Sequence, residues 1–165
     1  MARDVRRPAT LTNGPTRAPT RPAVQKVALA VAVVFVLIGI LGFLPGVTTH
    51  YGELAFAGHH SKTRLFGLFQ VSILHNLLHL VFGLIGLGLA RQLAGARLFL
   101  AGGGAVYLVI WMYGFFVDRE GVGNFVPFND ADNWLHLFLG FGMLALGLLT
   151  SNKAGTGGRL DNPLE

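Results

Sequence analysis

Residues 27–44 read VALAVAVVFVLIGILGFL, a run of 18 residues without a charged or polar side chain. At a rise of 1.5 Å per residue, a helix of this length just crosses a hydrocarbon core of about 30 Å. Pro45-Gly46 follows the run and is a typical helix stop. The run is longer than the apolar region of a signal peptide, about 7–15 residues, and no small-residue cleavage site follows it. The sequence therefore predicts an uncleaved transmembrane helix.

Three further apolar segments follow along the chain. Residues 98–117 carry no charge, and residues 65–90 and 133–150 also lack Asp, Glu, Lys and Arg, although they contain other polar side chains. In lipid, a helix satisfies its own backbone hydrogen bonds and no other open structure does. We therefore predict an all-α fold, a four-helix transmembrane bundle with spans at about 27–44, 65–90, 98–117 and 133–150, within a membrane domain of residues 24–150.

The composition agrees with a membrane protein. Of the 165 residues, 52% are hydrophobic and 13% are charged, about half the charged share of a soluble domain, and the mean hydropathy is +0.55. These values exclude a chain that is disordered throughout and an ordinary water-soluble enzyme domain. The chain has no cysteine, which excludes a disulfide framework, a zinc ribbon, an iron–sulfur cluster and a thiol nucleophile.

The positive charges are distributed unevenly. Ten of the 13 Lys and Arg lie in residues 1–26, near the turn between the second and third spans, or after residue 150. Because cytoplasmic segments carry such an excess, both termini are predicted to be cytoplasmic. Residues 1–23, rich in Pro, Thr and Arg, are expected to be a disordered tail that binds anionic lipid rather than nucleic acid. Residues 151–165 form a second cytoplasmic tail.

Two of the predicted spans begin with similar sequences. Residues 75–83 read HNLLHLVFG and residues 132–140 read DNWLHLFLG, with Asp132 in the place of His75. Both segments open an even-numbered span, so they run in the same direction and predict a duplicated helix pair in parallel repeat. The charge of Asp132 places this end near the outer surface, with His79 and His136 about one helical turn deeper.

The repeated segments contain the candidate site. Six polar residues form a predicted cluster between the second and fourth spans: His75, Asn76, His79, Asp132, Asn133 and His136. Imidazole and amide groups hydrogen-bond across membrane helices, so a His79–Asn133 pair and a His136–Asn76 pair would form a symmetric clamp. The glycine-lined edges of the two spans would then face each other. Asp132-Asn133 would also cap the fourth helix.

The same side chains permit two other interpretations. His75 and His79 are four residues apart on one helix face, as two metal ligands require. Asp132 and His136 repeat this spacing, so the set suits Zn, Cu, Ni or non-haem Fe, and a haem would need only one or two axial His. Ionisable residues inside a membrane also suit a proton-coupled carrier of small solutes.

Two stretches of the chain carry a resemblance to a known family. One is HNLLHLVFG at residues 75–83, and the other is VPFNDADNWLHL at residues 126–137. Together with the four-span layout, they resemble the domain of unknown function 4383 family, small bacterial membrane proteins, over about residues 24–150. The resemblance implies a four-helix protein of the plasma membrane and no activity. Its characteristic polar positions fall on Asn76, His79, Asp132, Asn133 and His136.

We therefore expect a non-enzymatic, multi-pass protein of the bacterial plasma membrane, with no catalytic residue and no cofactor. The polar cluster would fix helix packing near the outer face. The expected partners are the lipid bilayer, anionic lipid at the N-terminal tail, and a second copy of the chain or another membrane protein. The alternative is a metal- or haem-binding component in redox or metal handling, and the second alternative is the proton-coupled carrier.

Overall fold

The computed structural model describes residues 21–151, apart from the side chain of the last residue. It contains four α-helices: α1 (Ala23–Leu41), α2 (Ile73–Leu89), α3 (Leu93–Phe116) and α4 (Asp130–Ser151). The predicted tails, residues 1–23 and 151–165, fall almost entirely outside the described residues. The described part confirms that the fold is mostly helical.

The helices have the length and the surface of membrane-spanning segments. By length and hydropathy, α1, α3 and α4 can each cross a membrane, and α2 is a shorter apolar helix of 17 residues. Large apolar side chains cover the outside of the bundle, and Leu84, Val109 and Phe138 are each more than half exposed. Apolar surface of this extent is typical of contact with lipid. The chain is therefore a membrane protein.

Helix α2 packs along α1, and α4 packs along α3, through glycines that let the backbones approach closely. A Cβ on Gly83 would lie 2.7 Å from Val36 Cγ2, and one on Gly140 would lie 2.6 Å from Leu108 Cδ2. The glycine-lined edges of α2 and α4 therefore face α1 and α3. The prediction that these edges face each other is wrong, because the glycines serve the contacts within each helix pair.

The two ends of the bundle differ. At one end a short turn joins α2 to α3, and Gln25 Nε2 in α1 donates to Ala90 O at 3.1 Å. At the other end, residues 42–72 and 117–129 form what we call the cap. The cap contains a 3-10 turn (Tyr51–Glu53) and a small antiparallel sheet in the order β1 (Thr48–Thr49), β2 (Arg64–Leu65), β3 (Phe69–Gln70).

The second helix begins later than predicted, at Ile73 instead of residue 65. Phe66 and Gly67 have φ values of 53° and 71°, a left-handed conformation that turns the chain from β2 into β3 and that a right-handed helix cannot contain. Ser72 then caps α2. The apolar residues of this hairpin resembled a continuation of the helix because a sheet covering a bundle end also needs apolar side chains.

The other three helices, by contrast, start earlier than predicted. Helix α1 begins at Ala23 instead of residue 27, α3 at Leu93 instead of 98, and α4 at Asp130 instead of 133. Each of these added turns contains polar or small residues. Hydropathy alone marks only the segment that suits the hydrocarbon core, whereas the helix itself continues to its N-terminal capping residue.

Candidate functional site

The first turns of α2 and α4 are built alike. Ser72 Oγ accepts a hydrogen bond from His75 N at 3.1 Å. Asn129 Oδ1 accepts in the same way from Asp132 N at 3.1 Å, and Asp132 Oδ2 accepts from Asn129 N at 2.8 Å, which completes a capping box. Asn129 therefore caps α4, in place of the predicted Asp132-Asn133. His75 and Asp132 occupy the same position, the third residue of their helices.

His75 and Asp132 hold the backbone of one residue in β3. Gln70 N donates to Asp132 Oδ2 at 2.9 Å, and Gln70 O lies 3.1 Å from His75 Nδ1. His75 Nδ1 also lies 3.0 Å from Pro127 O. Because both neighbours are carbonyl oxygens, His75 Nδ1 must carry a proton and donate. The two side chains thus bind both segments of the cap to the helices.

The two segments of the cap are also bound to each other. Gly58 N donates to Phe125 O at 2.6 Å, and Asn129 Nδ2 donates to Leu68 O at 2.8 Å. Asn124 is buried and holds its own loop closed through backbone hydrogen bonds at both of its amide atoms. The cap is therefore one folded layer rather than two independent loops.

Asn76 and Asn133 lie against glycines of the neighbouring helix. Asn76 is fully buried against Gly42, which follows the last residue of α1, and Asn133 is buried against Gly114 of α3. Among residues 21–151, neither amide atom of Asn76 has a hydrogen-bond partner, and Asn133 Oδ1 has none. Each amide is enclosed within its own helix pair.

The predicted clamp between α2 and α4 does not form. Nδ1 of both His79 and His136 is buried and lacks a hydrogen-bond partner in the described part of the chain. The His79–Asn133 and His136–Asn76 hydrogen bonds are absent from residues 21–151. The reason is the packing order: each Asn faces the helix beside its own, so it does not reach the histidine across the bundle.

Three imidazoles lie together beneath the cap, and we call His75, His79 and His136 the histidine layer. Ring centroids are 4.7 Å apart for His75 and His79, and 6.4 Å apart for His75 and His136. All three side chains are buried. Phe35 of α1 stacks on His79 at 5.8 Å, and Tyr107 of α3 lies 5.4 Å from His136. Aromatic rings of the odd-numbered helices therefore pack against the layer.

The histidine layer lines two cavities. The larger, of about 260 Å³, lies between α2 and α3 beneath the loop that precedes α4. The smaller, of about 50 Å³, is lined by the same imidazoles together with Asp132 and apolar residues of α1, α4 and the sheet, among them Ile38 and Leu139. Cavities of this kind next to buried polar groups are the usual location of a ligand site.

The residues proposed as metal ligands come only partly together. His75, His79 and His136 form the histidine layer, but His75 Nδ1 and Asp132 Oδ2 are engaged by backbone groups of the cap. Within residues 21–151, no group of three His, Asp or Glu side chains is arranged to hold a metal ion. His59 and His60 lie together in the cap, with ring centroids 3.9 Å apart, and are not part of the histidine layer.

The contacts of one helix pair recur in the other. Three contacts correspond: Asn76–Gly42 to Asn133–Gly114, Gly83–Val36 to Gly140–Leu108, and His79–Phe35 to His136–Tyr107. They follow in the same order and at the same spacing along both pairs. The capping residues Ser72 and Asn129 precede Asn76 and Asn133 by the same number of residues.

Sequence reasoning missed four residues of the site. Ser72 and Asn129 are the N-terminal capping residues of α2 and α4. The sequence could have identified them, because Ser and Asn are preferred at this position and each precedes a repeated segment by three positions. Phe35 and Tyr107 are the aromatic neighbours of the histidine layer. No pattern in the sequence identifies these two, since the helix that packs beside a histidine is set by the tertiary fold.

Comparison with known proteins identifies a family for the chain. No curated protein and no solved structure matches the chain. The family described as Domain of unknown function (DUF4383) matches residues 25–149, which include the whole cap and nearly all of the four helices. This match confirms the resemblance found in the sequence. The chain belongs to the family described as Domain of unknown function (DUF4383).

Proposed function

We propose that the chain is a non-enzymatic, multi-pass membrane protein in which the polar cluster fixes the cap onto the helix bundle. One observation carries this proposal: His75 and Asp132, from two different helices, bind the two backbone groups of Gln70. The strands of the cap have two residues each. Sheets this small are marginal by themselves, so hydrogen bonds from the helices are needed to hold them in place.

The six residues of the cluster have three roles in this proposal. His75 and Asp132 hold the cap. Asn76 and Asn133 fill the narrow contact of each helix pair, opposite a glycine. The third pair, His79 and His136, completes the histidine layer beneath the cap.

We also propose that the bundle consists of two copies of one helix pair in parallel repeat. The matching capping residues, Ser72 in α2 and Asn129 in α4, and the three recurring contacts support this proposal. Both helix pairs have a capping residue, a glycine contact and a histidine at the same spacing. Apolar composition alone does not require this agreement. The connections between paired helices differ in length, so the symmetry is approximate.

For topology, we propose that all four helices cross the bacterial plasma membrane, with both termini in the cytoplasm and the cap outside. The distribution of positive charge supports this orientation, because Lys62, Arg64 and Arg119 are the three basic residues of the cap among 13 in the chain. Helix α2 has 17 residues, at the lower limit of the about 17–25 that a crossing requires.

The proposed partners are lipid and other membrane-embedded chains. Six of the Lys and Arg residues precede residue 27, and each would contribute about 1 kcal/mol of attraction to an anionic leaflet. The exposed apolar surface of the helices is covered by the bilayer, by a second copy of the chain or by another membrane protein.

We propose further that the cluster works without a resident metal ion or haem. Among residues 21–151, no group of three His, Asp or Glu side chains is arranged to hold a metal ion, which supports this proposal. Elemental and absorbance analysis of protein purified without a His-tag tests it. About one metal equivalent per chain, or a Soret band, that disappears in His79→Ala and His136→Ala would overturn it.

The role in holding the cap is tested with Asp132→Ala and His75→Ala, with Asp130→Ala as the matched control. The Asp130 side chain is 90% exposed and its ion pair with Arg119 lies at the surface, so its loss should change the free energy of unfolding by no more than about 1 kcal/mol. Each of the other variants removes hydrogen bonds to buried or partly buried backbone groups, and should reduce the free energy of unfolding by about 1–3 kcal/mol.

The decisive measurement is amide hydrogen exchange in nanodiscs. We expect faster exchange across residues 64–70 in Asp132→Ala and His75→Ala, with α3 unchanged and with Asp130→Ala like the wild type. Unchanged exchange of the cap in both variants would show that these side chains do not hold it.

A further inference from the structure

The larger cavity has a buried base and an exposed rim. Five buried rings form its base: His75, His79, Tyr107, Phe128 and His136. The rim includes Leu78, Tyr113 and Phe125, which are 47%, 43% and 58% exposed. Because Leu78 and Tyr113 belong to α2 and α3, the opening lies on the side of the bundle that we propose to face lipid, close to the cap. An occupant would therefore enter from the bilayer.

The chemistry of the lining selects an uncharged occupant. Among the described residues that line this cavity, none is Asp, Glu, Lys or Arg. An ion placed there would lose its hydration without gaining an opposite charge, which is strongly unfavourable. The apolar rim and the aromatic base instead favour a flat ring, because aromatic rings stack and pack edge to face. The cavity of about 260 Å³ is smaller than the pockets of about 300–1,000 Å³ that hold drug-sized ligands, so it suits one small ring system.

The imidazoles of the base offer hydrogen bonds that the protein does not use. His79 and His136 are each more than nine-tenths buried, and Nδ1 of both rings is closed off from the cavity and lacks a partner among residues 21–151, so Nε2 is the ring atom that can meet an occupant. His75 donates through Nδ1 to two carbonyl oxygens, so its neutral ring has an acceptor at Nε2. In a neutral imidazole, Nε2 is a donor in one tautomer and an acceptor in the other.

A hydroxyl group matches this arrangement better than a carbonyl group. A hydroxyl both donates and accepts, and so can bond to either kind of ring nitrogen, whereas a quinone oxygen only accepts. We infer that the cavity between α2 and α3 binds an uncharged aromatic alcohol, a molecule of the phenol class, with its ring against the aromatic base and its hydroxyl on the histidine layer. This inference does not depend on the role of the cluster in holding the cap.

The test compares two probes of nearly equal shape, 2-naphthol and 2-methylnaphthalene. Equilibrium dialysis against the full chain in nanodiscs, with empty nanodiscs as the blank, measures binding beyond partition into lipid. We expect the protein to bind 2-naphthol about tenfold more tightly than 2-methylnaphthalene, since only the former has a hydroxyl for the imidazoles. Menadione, a quinone of similar size, should bind more weakly than 2-naphthol.

Two test variants and one control variant locate the site. Leu78→Trp fills the opening and should abolish binding of 2-naphthol, whereas Leu84→Trp, on the exposed face of the same helix and outside the cavity, should leave it unchanged. His79→Phe keeps an aromatic ring against Phe35 but removes the ring nitrogens, and should lower the affinity for 2-naphthol while leaving that for 2-methylnaphthalene unchanged.

Any one of several results would overturn the inference. These are no binding of 2-naphthol beyond empty nanodiscs, equal affinity of the wild type for 2-naphthol and 2-methylnaphthalene, and equal binding by Leu78→Trp and Leu84→Trp. Tighter binding of menadione than of 2-naphthol would exclude the phenol class. The comparison of probes uses the wild-type protein, so it stands even where a variant fails to fold.

Discussion

Asn76 lies against Gly42 so closely that a single methyl group on the glycine would overlap the carboxamide. The same relationship joins Asn133 and Gly114 in the other helix pair. In both places a buried amide, partly or wholly without hydrogen bonds among the described residues, occupies the space of an absent Cβ. Shape, rather than hydrogen bonding, therefore holds each amide in position, and this can be tested by energetic coupling.

Gly42→Ala should reduce the free energy of unfolding by about 2 kcal/mol, because the new Cβ meets the Asn76 side chain. Asn76→Ala should change it by less than about 1 kcal/mol, since the loss of packing is offset by removal of a buried amide without partners. In the double variant the new Cβ has room, so the glycine substitution should cost much less. Reversible unfolding in detergent of the four proteins in the cycle measures this coupling, and additive effects would contradict it.

Gly83→Ala and Gly140→Ala should destabilise the protein to similar extents, because each Cβ would meet a side chain of the neighbouring helix, Val36 or Leu108, at less than 3 Å. Gly88→Ala and Gly142→Ala are the matched controls on the same helices. A Cβ at either position meets nothing within 4 Å, so these changes should be neutral or stabilising by up to about 1 kcal/mol. Unfolding measurements in one detergent compare all four, and equal losses in test and control variants would count against the pairwise packing.

Asn129→Ala should reduce the free energy of unfolding by about 1 kcal/mol, because it removes the side chain that caps the N-terminus of α4. Asn129→Ser supplies another acceptor for Asp132 N and should recover part of this loss, although the hydrogen bond to Leu68 O stays broken. Ser72→Ala should have an effect of the same size on α2. Thermal unfolding of the three variants checks this, and a Ser variant no better than the Ala variant would argue against capping.

The orientation can be checked because the chain has no cysteine, so a single introduced thiol is unique. Glu53→Cys places it in an exposed part of the cap, and Gln92→Cys places it in the exposed turn between α2 and α3. On intact cells, a membrane-impermeant maleimide should label Glu53→Cys and should label Gln92→Cys only after permeabilisation. Neither substitution alters the count of Lys and Arg. The reverse labelling pattern would invert the topology.

The sequence could predict the helices because length and hydropathy report directly on the requirements of lipid. The repeated segments also identified the histidines that the fold brings together beneath the cap. Asp132 was expected near a bundle end, and it lies in the first turn of α4. These inferences depend on local pattern, which a single sequence contains.

The partners of each side chain could not be predicted in the same way. The clamp prediction required α2 and α4 to be neighbours, whereas α2 packs along α1 and α4 along α3. Nothing in the spacing of Asn76 indicates that its neighbour is Gly42, far away in the sequence. The hairpin at residues 64–70 was missed because its strands are too short to show alternation, and its turn depends on the conformation of Phe66 and Gly67.

Helices α2 and α3 differ in length by seven residues, and this difference has a consequence for the surrounding lipid. With 17 residues α2 extends about 26 Å, whereas α3, with 24, extends about 36 Å. If both cross the bilayer, the hydrocarbon layer must thin beside α2 or α3 must tilt, and either response costs a fraction of a kcal/mol per ångström of mismatch. Short or unsaturated acyl chains should therefore gather on the α2 side, and the protein should favour the thinner regions of its membrane.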